Sequence, residues 1–207
     1  MNEVKDPYNL IITGVGGQGN VLSSQLIGQT LVNKGFFVTI GETYGASQRG
    51  GAVMSHIRIS KKKQQSPLIP RNKSDVVVAL EPVESLRVLA AYGNPEVVVL
   101  VNTRPIYPVD VTAEKEIYPK MEDIKKALDE LSGQVYYIDA TEKAMQMGSP
   151  ILSNMIMIGA LLELELIPLS TANFIETLAA RFDQKGLEVN VSALEEGRKA
   201  IQLAGHG

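Results

Sequence analysis

Two glycine-rich clusters hold the residues whose types and spacing could do chemistry. The first, Gly14-Val15-Gly16-Gly17-Gln18-Gly19, has the form G-x-G-x-x-G. In that form Gly14 permits a tight turn, Gly16 removes the side chain where a ligand or another backbone would approach, and Gly19 allows close strand–helix packing. A helix opening there offers free N–H groups and partial positive charge to an anion. Glu42 follows Gly19 by 23 residues, near where dinucleotide-binding proteins place the acid that holds a ribose. The same motif also serves strand–helix packing with no nucleotide present.

The second cluster runs from Gly41 to Gly51 and has four glycines in eleven residues. Such a loop carries a high entropic cost of ordering, which suits a site where backbone, ligand or partner comes very close. It contains Glu42, Tyr44, Gln48, Arg49, Gly50 and Gly51; a guanidinium such as that of Arg49 forks onto a carboxylate or phosphate. Other groups are weaker candidates. Glu81 and Glu84 have a spacing that could pair carboxylates, but an early acidic pair more often complements a helix dipole. His56, with no acid placed beside it, is expected to be an interface or surface histidine. Met155 and Met157 fit core packing, while Met145 and Met147 could belong to an adaptable contact surface.

The elements that position these clusters follow from periodicity. Tyr8–Thr13 is expected as a buried strand, Asn20–Val32 as a helix capped by Lys34-Gly35, and Phe36–Ile40 as a second strand, which makes an opening strand–helix–strand unit. Ala52–Ile59 alternates as a strand with one partly wetted face. Asp75–Leu80 and Glu96–Val101 are continuous apolar runs, as in strands covered on both faces. Pro82 starts a helix to about Ala91, a helix is expected near Lys120–Leu131, and Val135–Ile138 is the last strand. From Thr141 onward the pattern is helical, with turns at Gly148-Ser149-Pro150, Pro168 and Lys185-Gly186. Ile151–Leu166 is apolar on most faces, so it lies in the core or against another subunit. The expectation is an α/β, Rossmann-like, doubly wound, mostly parallel sheet with a helical C-terminal section. It forms one domain over 1–207, with the sheet at about 8–140 and the helices at about 141–204.

Composition closes several routes. Among 207 residues there is no cysteine and there are two histidines, so the chain alone cannot hold a thiolate-ligated iron–sulfur cluster, and a zinc site is not expected. A net charge of −3 does not suit nucleic acid. Lys61-Lys62-Lys63 fits a solvated turn tip. Met1–Asp6 is charged and unlike a signal peptide, and no apolar run is long enough to span a bilayer, so no membrane association and a cytoplasmic location are expected.

Taken together, GVGGQG after the first strand and GETYGASQRGG running into SHIRIS resemble the small subunit of indolepyruvate:ferredoxin oxidoreductases. More loosely, they are similar to the gamma subunit of pyruvate and 2-oxoglutarate:ferredoxin oxidoreductases. The likeness continues through Ser66–Pro70, Asp75, Ala79–Arg87, Asn102 after its strand, Tyr118-Pro119, Gly148, Asn154, Gly159, Glu188–Asn190, Ala193 and Gly197. It implies a subunit, inactive alone, of an enzyme that oxidatively decarboxylates a 2-oxoacid with coenzyme A and passes electrons to ferredoxin. Thiamine diphosphate and iron–sulfur clusters would sit in the larger partner subunit or subunits, and this chain would bind no cofactor firmly. Indolepyruvate-type subunits commonly have histidine where this chain has Tyr44, whereas the pyruvate and oxoglutarate relatives often have tyrosine-glycine there but lack the glutamine of Gln48. An aromatic 2-oxoacid is expected.

Gly14, Gly16, Gly17, Gln18, Gly19, Glu42, Tyr44, Gln48, Arg49, Gly50, Gly51 and Asn102 are therefore expected to form one surface at the carboxyl ends of the first strands, for a subunit junction or for coenzyme A phosphates. No catalytic residue is assigned to the chain, and a homodimer is one form it could take in isolation. Two alternatives remain: a free-standing NAD(P)- or FAD-dependent oxidoreductase and a non-enzymatic nucleotide-binding protein.

Overall fold

The computed structural model describes residues 5–45, 51–107 and 118–204. The elements in chain order are β1 (Tyr8–Val15), α1 (Asn20–Asn33), β2 (Phe37–Tyr44), β3 (Ala52–Ser60), β4 (Val76–Ala79), α2 (Pro82–Tyr92), β5 (Val98–Asn102), α3 (Met121–Leu131), β6 (Gln134–Ile138), α4 (Ala140–Gln146), a 3-10 turn (Pro150–Leu152), α5 (Ser153–Glu163), α6 (Thr171–Arg181) and α7 (Gln184–Ala204). Gly35 takes a φ of +82° just past α1, the left-handed conformation expected of a helix stop.

The six strands form one sheet in the order β2-β3-β1-β4-β5-β6. β1, β4, β5 and β6 pair in parallel. β3 is antiparallel to both β1 and β2. The opening strand–helix–strand unit is therefore present, but β3 lies between its two strands. Alternate residues face two cores, as a period of two requires. Leu10, Ile12, Val76 and Val78 pack against α1 and α5, while Ile11, Val77, Val99 and Val101 pack against α2 and α3.

Three expectations need correcting. On the second face of β3 only Ala52 and Met54 are half-buried, and from His56, which is fully buried, the face is covered, because the chain after β3 folds back over that side. Arg58 donates to Ser66 Oγ (2.7 Å), Ile69 N donates to His56 Nδ1 (3.4 Å), and Tyr92 packs edge-on against the imidazole. Burial holds that imidazole below its usual pKa. Lys185-Gly186 is also not a turn. Asp183 Oδ1 accepts from Gly186 N (2.8 Å) and caps α7, so the glycine lies inside the first helical turn.

Of the two alternatives for the apolar C-terminal run, core burial is observed: Ser153 to Leu162 are all buried. α7 covers α5 through a reciprocal pair of glycines. A Cβ at Gly159 would overlap the Leu194 carbonyl, and one at Gly197 would overlap the Ile156 carbonyl. No rotamer change relieves a clash with backbone, so α5 and α7 would have to separate. Gly197→Ala is expected to lower stability by about 3 kcal/mol, seen as a lower urea midpoint at unchanged m-value; an unchanged midpoint would contradict this packing.

Candidate functional site

β1 and β3 pair from Tyr8 opposite Ile59 to Val15 opposite Ala52. The ladder then runs one rung further, with Gly16 N donating to Gly51 O (3.0 Å). Gly16, early in the first glycine bend, and Gly51, the end of the second, are therefore hydrogen-bonded neighbours at the carboxyl end of β1. Gln48, Arg49 and Gly50 lie outside the described residues.

Within the first bend, most of the space above the glycines is filled by the chain itself. A Cβ on Gly14 would come within 2.6 Å of Gln18 Oε1 and 3.0 Å of Leu80 Cβ. The Gln18 amide accepts from Val15 N (2.7 Å) and donates to Leu80 O (2.7 Å). Gly19 has a φ of +85°, and a Cβ there would overlap the Asn154 amide. Only Gly16 and Gly17 are exposed in the bend, and Gly17, at φ +99°, has open space beside it. Asn20, the first residue of α1, is buried and donates to Val15 O (3.3 Å).

Glu42 and Tyr44 share one face near the end of β2, and the Tyr44 hydroxyl donates to Glu42 Oε2. That bond raises the Tyr44 pKa above its ordinary value. Tyr44 lies level with Val53, which lies level with Gly14, so the tyrosine shares the height of the first bend but stands two strands away. At the usual spacing that is about 10 Å. Glu42, opposite Ser55 and thus level with Ile12, is not beside β1, where a ribose acid would stand.

Asn102 is fully buried and its amide is fully engaged. It donates to Leu80 O (3.0 Å) and Thr141 Oγ1 (2.8 Å) and accepts from Ala140 N (3.1 Å) and Thr141 N (3.2 Å). It ties β4, β5 and the start of α4 together and has no group left for a ligand. Gln18 and Asn102 thus meet at one acceptor, the Leu80 carbonyl.

The next residue, Glu81, is an anchor that the sequence reading treated only as half of an acidic pair. Its Oε2 accepts from Glu84 N (2.9 Å) and caps α2. Its Oε1 accepts from Ile106 N (3.4 Å) and from the Tyr118 hydroxyl. Burial first, and then the Glu81 bond, push the Tyr118 pKa well up. Glu84 is also buried; desolvation raises its pKa, opposed by Arg87 at 2.6 Å. A glutamate directly before a proline at the first helical position was the available signal for a capping role.

No group of three or more His, Cys, Asp or Glu able to hold a metal ion occurs among the described residues, and no described helix is long and apolar enough to cross a membrane.

The family model described as pyruvate ferredoxin/flavodoxin oxidoreductase matches residues 9–200. The indolepyruvate oxidoreductase subunit IorB of Pyrococcus horikoshii is 36% identical over 196 residues, covering 94% of this chain and 96% of that one. A structure of 2-oxoglutarate:ferredoxin oxidoreductase from Magnetococcus marinus, with 2-oxoglutarate, coenzyme A and succinyl-CoA bound, superposes with a TM-score of 0.75 at 22% identity. It covers 96% of this chain, which spans 32% of that longer one. The gamma subunit of keto/oxoacid ferredoxin oxidoreductase from Geobacter sulfurreducens superposes with a TM-score of 0.67 at 20% identity, over 95% of this chain and 99% of that one.

Glu81→Ala removes the α2 cap and one acceptor for residues on both sides of segment 108–117. It is expected to cost about 2 kcal/mol and to speed amide hydrogen exchange at Ile106. Unaltered exchange there would remove Glu81 from the anchoring role.

Proposed function

The chain belongs to the pyruvate ferredoxin/flavodoxin oxidoreductase family, and from that premise we propose that it is the cluster-free small subunit of a 2-oxoacid:ferredoxin oxidoreductase. The enzyme acts on indolepyruvate or a related aromatic 2-oxoacid, with coenzyme A as co-substrate and ferredoxin as electron acceptor, in the cytoplasm. The 36% identity to an indolepyruvate oxidoreductase subunit supports the substrate class. An iron–sulfur cluster does not fit this chain, which has no cysteine, and clusters and thiamine diphosphate belong in this reading to the larger partner subunit.

The observation that carries the local role is the bond from Gly16 N to Gly51 O. It sets Gly16 of the first bend beside Gly51, the last residue of the second, and uses the N–H that a pyrophosphate would need at the second glycine. What faces outward at Gly16 and Gly17 is side-chain-free backbone. Such a surface suits the close approach of another protein backbone better than capture of a phosphate. The bends, with Glu42, Tyr44, Gln48, Arg49, Gly50 and Gly51, are assigned to the junction with the large subunit, where Arg49 supplies the fork for a partner carboxylate.

Co-expression with the large thiamine- and cluster-binding chain should give a stable complex in which indolepyruvate, coenzyme A and both chains are all required for ferredoxin reduction. Turnover by either chain alone would refute the subunit reading. Arg49→Glu should weaken assembly at least ~30-fold, the cost of a central interfacial arginine, and assembly at wild-type strength would remove Arg49 from the junction.

The free-standing dinucleotide enzyme is not favoured, because Glu42 stands two strands from β1 and Gly16 N is engaged. Calorimetry of the isolated chain with NADH, NADPH, FAD and coenzyme A is expected to show no saturable heat. Saturable binding of a dinucleotide would restore that alternative, and saturable binding of coenzyme A would assign the bends to its phosphates.

A further inference from the structure

Between β3 and β4 the chain crosses back over the sheet as a strap, residues 64–70. Among the described residues, no backbone–backbone hydrogen bond involves any part of this strap. Side chains hold it instead. Thr39 Oγ1 donates to Gln65 O (3.0 Å), and the Gln64 amide donates to Val38 O (3.0 Å). Arg58 donates to Ser66 O (3.2 Å), Ser66 Oγ (2.7 Å) and Leu68 O (3.5 Å), and its guanidinium stays charged at any working pH. The Pro67 carbonyl lies so close over Gly41 that a Cβ there would come within 2.7 Å of it.

Beyond Leu68 the strap has the buried Ile69 side chain and one polar fastening. Ile69 N is the only strap N–H with an acceptor among the described residues, and that acceptor is His56 Nδ1 (3.4 Å). A neutral imidazole accepts at one nitrogen and carries its proton on the other, so this bond sets the proton on Nε2. Nε2 is buried and has no partner. β1 gives this face Asn9, Ile11 and Thr13, and β2 gives it Thr39, Gly41 and Thr43. None of these titrates, and the strap has no ionisable side chain. The titratable groups beside the imidazole are therefore Arg58, from its own strand, and Tyr92, from α2 and edge-on at 4.9 Å. Neither supplies a negative charge.

Protonation of His56 has two effects. It turns Nδ1 from acceptor to donor, facing the Ile69 N–H. It also leaves a charge without a counter-ion in a site closed to water, which is costly. Continuous backbone ladders close that site toward β1 and β2. The strap closes it with no backbone–backbone bond, so water reaches the imidazolium most readily by way of Ile69. Burial holds the imidazole below its ordinary pKa. With the folded value lowered, closure is fully favoured above the ordinary pKa and is lost as pH falls through the lowered one. We infer that residues 64–70 form a pH-released strap, with Arg58 as its fixed clamp and His56 as the clasp whose protonation frees Ile69 from the sheet.

The inference stands apart from the proposed activity, and its test needs only the full chain. The sequence has two histidines, His56 and His206, so His206→Gln leaves one imidazole signal to follow by NMR. That signal should titrate below the ordinary histidine range. Across the same transition the amide protection factor of Ile69 should fall roughly tenfold relative to that of Ile12, as for the loss of one buried hydrogen bond. The far-UV circular dichroism should not change. His56→Asn, whose Oδ1 replaces Nδ1 as acceptor without titrating, should keep Ile69 protected at the acid end. If that variant does not fold, the His206→Gln chain carries the test by itself. Ile69 protection that does not follow the His56 titration overturns the inference, as does an imidazole with an ordinary pKa. So does an equal loss of protection at Ile12, which would mean that protonation unfolds the sheet. An equal fall in His56→Asn also overturns it and would assign the change to carboxylates.

Discussion

The antiparallel ladder between β1 and β3 is the constraint on which the other features depend. Its register continues through Val15 opposite Ala52 to the bond between Gly16 and Gly51, so the start of the first glycine bend and the end of the second must lie side by side. The same strand pushes β2 out to the sheet edge. One insertion therefore accounts for the bends' adjacency, for the distance of Glu42 from β1, and for an outer strand whose backbone is open. A sheet with β2 directly beside β1 would have placed the glutamate at the first bend and covered part of that edge.

The bends are held by polar groups that use up one another's capacity. The Leu80 carbonyl receives Gln18 and Asn102, while Leu80 N donates to Thr13 O (2.8 Å). Glu81, one residue on, caps α2 and takes donors from Ile106 and Tyr118. A buried acceptor left empty costs about 1–3 kcal/mol, and a buried carboxylate costs more, so these residues cannot drift apart cheaply. The stiffness has a chemical consequence. Gln18 and Asn102 spend their amides on the chain itself, which leaves exposed main chain at Gly16 and Gly17 as what the bend offers outward.

Much of the architecture was legible in local pattern. The strand runs ending near Thr13, Leu80 and Val101, the glycine stop after α1 and proline at the first position of α2 all act within a few residues, and periodicity reports such short-range physics directly. What local pattern lacked was strand order. Nothing within Ala52–Ile59 states that it inserts between β1 and β2, and its alternation suggested a wetted face because the cover for His56 and Arg58 comes from Ser66, Ile69 and Tyr92. Gly186 misled for a related reason: glycine signals a turn unless a capping side chain, here Asp183, draws it into a helix. At the site, the glycines were recognisable by spacing, but the role of Asn102 was not. An asparagine after a strand has the same appearance whether it meets a ligand or, as here, stitches Leu80 to the start of α4.

The distribution of satisfied and open groups explains why this chain suits assembly more than solitary catalysis. Charged and amide side chains near the carboxyl ends of β4 and β5 are turned inward: Glu81 and Asn102 are both buried and bonded within the chain. A self-sufficient enzyme would instead direct some of these groups at a substrate, since acid–base and electrostatic catalysis act only within hydrogen-bonding reach. Among the described residues near these strand ends, the open groups include backbone at Gly16 and Gly17 and the exposed Tyr44 ring, together with the apolar wall of a cleft beside Ile40. Backbone and apolar surface have little chemistry of their own, but they are what another polypeptide pairs with and buries. In the proposed junction, the glycines that first suggest a nucleotide cradle serve as the absence of side chains where a neighbouring subunit fits.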